Sequence, residues 1–123
     1  MKRMQGISGV PEYGWEEFRT KASEYCVLIP VINEGERIRK ELERARKSGV
    51  PEEADIILCD GGSTDGSMEP EYLKAVGVSA LLVKHGAGKQ GAQLRMGMHF
   101  AMHRGYKGVV TIDGNNKDSI EDV

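Results

Sequence analysis

Residues 55–66 read DIILCDGGSTDG, and the two halves of this stretch decide the fold. Within residues 55–59 (DIILC), Ile56 to Cys59 form a short continuous apolar run. That is the pattern of a strand buried on both faces, and so of a strand in a parallel sheet. Residues 60–66 (DGGSTDG) follow where such a strand would end. Glycines there let the backbone approach a ligand closely, and Asp60 at the strand end can accept hydrogen bonds from a ribose or a base edge. Ser63, Thr64 and Asp65 read more simply as a turn and the cap of a following helix.

Three further apolar runs repeat the pattern at residues 25–31, 78–84 and 108–113. Between the first two, residues 33–47 carry Ile38, Leu42 and Ala45 on one helical face. Glu36 with Lys40, and Glu43 with Lys47, stand at ion-pair spacing on the other. Asn33 reads as the cap of this helix, with Glu36 at its third position. Glu34 can serve that helix start or reach a ligand. Gly49 and Pro51 stop the helix.

A weaker helix is expected over 67–76, interrupted by Pro70 and closed by Gly77. A stronger one is expected over 90–104, with Leu94, Met98, Ala101 and Met102 as its apolar stripe. Residues 1–24 read as an N-terminal extension in which Trp15, Phe18 and Ala22 form a short helix. Residues 25–123 form the domain proper. The alternation β-α-β-α-β-α-β predicts an α/β fold: an open, mostly parallel, Rossmann-like sheet with flanking helices and right-handed crossovers.

Open sheets of this kind bind ligands beyond the carboxyl ends of their strands. The four segments leaving those ends, 30–35, 60–66, 85–91 and 113–117, are all rich in Gly, Asp, Asn or Glu. Asp113, Gly114 and Asn115 set two oxygen ligands one residue apart, a spacing that suits Mg²⁺ shared with substrate phosphates. Residues 86–91 (GAGKQG) match the dinucleotide fingerprint G-x-G-x-x-G. A Rossmann NAD(P)-binding oxidoreductase is therefore a competitor, although two βα units precede the motif. His99 and His103 share a helical metal spacing without a completing ligand and read as solvated surface residues.

Composition bounds the rest. The chain has 123 residues, 29% charged and 39% hydrophobic, with a formal net charge of −2. These values describe an ordinary globular domain and give no basic surface for nucleic acid. The run 27–32 is too short to span a membrane, and nothing near Met1 has the apolar core of a signal peptide. Cys26 and Cys59 sit in apolar runs and read as buried free thiols. A cytoplasmic protein, or one peripheral to a membrane, is expected.

In order and spacing, residues 27–34 (VLIPVINE), 60–66, 88–97 (GKQGAQLRMG) and 111–115 (TIDGN) resemble family 2 glycosyltransferases, including the dolichyl-phosphate-sugar synthase branch. The resemblance implies a GT-A fold binding a nucleotide-diphospho-sugar, such as a UDP- or GDP-sugar. It implies that Pro30, Ile32 and Glu34 line the base and ribose pocket, that Asp60 contacts the nucleoside and that Lys89 lies near the diphosphate. Asp113, Gly114 and Asn115 would occupy the D-x-D position, where Mg²⁺ or Mn²⁺ neutralises the leaving nucleoside diphosphate.

The chain departs from the family pattern in three residues. Gly61 stands where many relatives have a second Asp, Ile32 where a Tyr is frequent, and Asn115 where the second Asp of D-x-D would stand. Family members also continue into an acceptor-binding half that supplies the catalytic base. That half is expected to be missing here, which leaves room for self-association and for a non-catalytic interaction protein of the same fold.

Overall fold

The computed structural model describes residues 2–4, 10–85 and 90–112. In chain order the elements are β1 (Lys2–Met4), β2 (Tyr13–Glu17), β3 (Tyr25–Val31), α1 (Glu36–Lys47), α2 (Val50–Glu53), β4 (Asp55–Asp60), α3 (Pro70–Ala75), β5 (Ala80–Lys84), α4 (Gln90–His103) and β6 (Gly108–Thr111). The sheet order is β1-β2-β5-β4-β3-β6. Strands β5, β4, β3 and β6 run parallel, while β2 pairs antiparallel with β5 and β1 antiparallel with β2. The expected α/β architecture, an open and mostly parallel sheet flanked by helices, is what the chain forms.

Alternation along the strands sorts the core into two layers. Val27, Ile29 and Val31 of β3, with Ile56 and Leu58 of β4, pack on Ile38, Leu42 and Ala45 of α1 and Leu73 of α3. Cys26 and Leu28, with Ile57 and Cys59, face the opposite way onto Met96, Phe100 and Ala101 of α4. Both cysteines are free and buried. Burial pushes the Cys26 thiol up to about 12 and raises Cys59 further.

Several local expectations are corrected. Residues 13–17 form strand β2 rather than a helix, because Tyr13 to Glu17 add to the free edge of β5, from Tyr13↔Lys84 to Glu17↔Ala80. Helix α1 begins at Glu36 and its N-cap is Gly35, with no side-chain cap, since Asn33 is engaged elsewhere. The ion pairs expected from Glu36 to Lys40 and from Glu43 to Lys47 are not formed among the described residues. Glu43 instead accepts a hydrogen bond from Tyr72 Oη at 3.2 Å.

Pro51 does not only stop α1. After Gly49, at φ 78°, it lies in the first turn of α2. Pro70 likewise opens α3 instead of interrupting it, which suits a residue with a fixed φ and no N–H. The buried face of α4 is Ala92, Gln93, Met96, Gly97, Phe100 and Ala101, while Met98 and Met102 are exposed. The helix turns this way because Gly97 lets it approach the sheet. A Cβ there would lie 2.6 Å from Cys59 Sγ and 3.0 Å from Leu28 Cδ1. His103 is exposed as expected, but His99 is half-buried and bonded to Tyr13.

Candidate functional site at the carboxyl edge of the sheet

Strand β3 lies between β4 and β6, and the helix after β3 (α1) covers the opposite face from the helix before β6 (α4). This is a topological switch point, where open α/β sheets hold ligands beyond their strand ends. The sequence sharpens the switch through Pro30. Among the described residues the last pair between β3 and β6 is Leu28↔Thr111, and Ile112 N donates to the Leu28 carbonyl at 3.0 Å. The next amide of β3 facing that side would be that of Pro30, which has no N–H. Pro30 therefore donates nothing toward β6, while β3 and β4 stay paired to Val31↔Asp60.

Two loops leave the adjacent ends of β3 and β4, and their side chains hold one another. Asp60 is 3% exposed. Its Oδ1 accepts from the amides of Gly62 (3.1 Å) and Ser63 (2.9 Å) and from the Ser63 hydroxyl (2.7 Å). Ser63 Oγ in turn accepts from the Asn33 amide at 2.9 Å. The Asn33 carboxamide oxygen accepts from the Thr64 amide at 2.8 Å. Asp65 Oδ2 accepts from the Gly35 amide at 3.1 Å, while its Oδ1 accepts from the Ser67 amide at 2.9 Å and from the Ser67 hydroxyl. The Ser67 bonds, hydroxyl first, hold the Asp65 carboxyl below its usual range. A closing bond runs from Arg39 Nη2 to the Gly66 carbonyl at 3.1 Å.

The base of this clasp is fixed from below by Gln93 of α4, which is 4% exposed. Its Nε2 donates to the carbonyls of Val31 and Cys59, both at 2.8 Å. The Val31 carbonyl also accepts from the Gly61 amide at 2.8 Å. Gly61 is glycine for room, since a Cβ would stand 3.0–3.2 Å from the Gln93 carboxamide.

The anticipated site residues fall into three groups. Pro30 and Asp60 are buried in strands β3 and β4, and Asp60 shapes its own loop. Ile32 is half-exposed at the strand end, and Glu34 is partly buried with an ion pair to Arg37 at 3.2 Å. Lys89, Asp113, Gly114 and Asn115 lie outside the described residues. Ile112, just after β6, is buried. Ser63 and Asp65, read from sequence as caps of the next helix, bind the β3 loop because α3 starts only at Pro70. Asn33 and Gln93 were missed as organisers of the edge. The only signal for Gln93 was a glutamine three residues before Met96 on what proves to be the buried face.

No family model matches the chain, and no solved structure matches it significantly. Over 43 residues it is 42% identical to the succinoglycan biosynthesis protein ExoA of Rhizobium meliloti (strain 1021). That stretch is 35% of this chain and 13% of the length of ExoA, so the chain is similar to part of a protein of glycan biosynthesis.

Proposed function

We propose that this chain is the donor-binding part of a glycosyltransferase-like protein that takes a nucleotide-diphospho-sugar at the carboxyl edge of its sheet. The observation that carries the reading is the clasp between residues 33–35 and 60–67, built beside the β3–β6 switch point. The partial similarity to a succinoglycan biosynthesis protein supports sugar transfer as the chemistry. The finer assignment, to family 2 and its dolichyl-phosphate-sugar synthase branch with a UDP- or GDP-sugar as donor, rests on the motif series alone.

In this reading the clasp presents Ile32, Asn33, Glu34 and the backbone around Gly62 to the nucleoside. Asp60 acts mainly by holding that backbone, and Lys89 binds the diphosphate. Asp113 and Asn115, with Gly114 between them, hold Mg²⁺ or Mn²⁺, which when bound neutralises charge on the departing nucleoside diphosphate. Asn115, a neutral ligand, makes that metal site weaker than one built from two carboxylates. A dinucleotide reading of residues 86–91 is disfavoured by topology. The fingerprint belongs on a strand beside the switch, whereas β4 separates β5 from β3.

Calorimetric titration with UDP, GDP and their sugars, with and without Mn²⁺, tests the proposal. Saturable binding that strengthens with Mn²⁺ and loses that dependence in Asp113→Ala is the expected result. Absence of binding to all of them would overturn it, and NADPH binding in their place would restore the oxidoreductase reading.

A further inference from the structure

The last two turns of α4 carry a side-chain group that uses none of the residues assigned to the sugar donor. His99 and His103 stand one helical turn apart, with ring centroids 4.4 Å apart and their Nε2 atoms 3.2 Å from each other. Two nitrogens bound to one ion at about 2.0–2.1 Å stand about 3.3 Å apart in tetrahedral geometry and about 2.9 Å apart at a right angle. The observed separation falls between these values, so the two nitrogens already stand at the spacing of a shared ion, which would replace the hydrogen bond now between them.

The group behind His99 supports the same chemistry. Tyr13 Oη lies 2.8 Å from His99 Nδ1, and Tyr13 is fully buried, its ring packed edge-on at 83° to the imidazole. When the Tyr13 hydroxyl accepts from Nδ1–H, the tautomer is the one in which Nε2 offers its lone pair. His103 is exposed, so it can exchange its Nε2 proton for an ion without burying charge. The neighbouring Arg104 would oppose a cation, but its guanidinium is tied to the Glu17 carboxylate.

We propose that His99 and His103 form a surface site for one divalent transition-metal ion of the imidazole-preferring class, Zn²⁺, Ni²⁺ or Cu²⁺. Tyr13 is the residue that positions the inner ligand. Among the described residues no group of three or more His, Cys, Asp or Glu is placed to hold a metal, so water completes the coordination and the ion is exchangeable. The site is independent of the hard Mg²⁺ or Mn²⁺ assigned to the sugar donor, because two imidazoles and no carboxylate select softer ions.

The test is calorimetric titration of the untagged chain with ZnCl2, NiCl2 and CuCl2. One ion per chain is expected, with Cu²⁺ the tightest, following the general order of divalent affinities. His103→Ala, at an exposed position, keeps the native circular dichroism spectrum and loses at least about tenfold in affinity. Tyr13→Phe loses about tenfold or more, as loss of an orienting partner does elsewhere. No saturable binding of Cu²⁺ at millimolar concentration, or unchanged affinity in His103→Ala, would overturn the site.

Discussion

At Asn33 the backbone takes φ 46°, a left-handed conformation that Asn tolerates better than other non-glycine residues. Its side chain repays the geometry by accepting the Thr64 amide, so conformation and clasp are linked in one residue. Asn33→Gly should lose the hydrogen bond but keep the turn. Asn33→Ala should lose both and be less stable than the glycine variant by about 1 kcal/mol, read from urea midpoints. Asp60 tests the same loop from its other end. Asp60→Ala leaves the amides of Gly62 and Ser63 without their acceptor and should cost about 1–3 kcal/mol. Asp60→Asn keeps an acceptor oxygen and should cost less.

Helix α4 shows how one small residue sets the rotation of a whole element. The sequence marks Leu94, Met98, Ala101 and Met102 as the apolar stripe. Of these Ala101 is buried while Met98 and Met102 are exposed, because at Gly97 the helix backbone comes within reach of Cys59 and Leu28. Gly97→Ala should therefore destabilise the chain by about 1–3 kcal/mol through overpacking. Met102→Ala, at a site 80% exposed, should move stability by less than about 0.5 kcal/mol. Thermal melts of the two variants separate the buried face from the exposed one. The same rotation brings Gln93 to the carbonyls of Val31 and Cys59, so the helix braces the ligand edge from the opposite face.

For the molecule as a whole, the buried and half-buried titrating groups predict its pH response. Burial, with His103 as the second cause, lowers the His99 pKa below its ordinary 6.5. Protonation therefore favours the unfolded chain. The stability held by neutral His99 is present in full above pH 6.5 and is lost as pH falls through the lowered folded value. His99→Gln should flatten the dependence of unfolding free energy on pH across that interval. At the alkaline end the buried thiols stay protonated, with Cys26 pushed up to about 12. Neither Cys26 nor Cys59 should react with a thiol reagent at pH 8 until denaturant is added, and two thiols per chain should then react.

The sequence by itself determined the four parallel strands, because short, doubly buried aliphatic runs have few other uses. Residues 25–31 form β3 within the very limits their apolar pattern marks. It also determined that the polar, glycine-rich loops after β3 and β4 leave the same sheet edge, since parallel strands require it. Tertiary structure decided what sequence periodicity leaves degenerate. It made β2 a strand by offering the open edge of β5, and it rotated α4 about Gly97. It also gave buried Asp55 the amide of Ala22 and the hydroxyl of Tyr106 as partners, 33 and 51 residues away. Asn33 and Ser63 are a further case: each reads as a local cap, yet each is satisfied across 30 residues by the other's loop. A hydrogen-bonding side chain takes whichever donor or acceptor the fold brings within 3 Å, and sequence distance does not rank those choices.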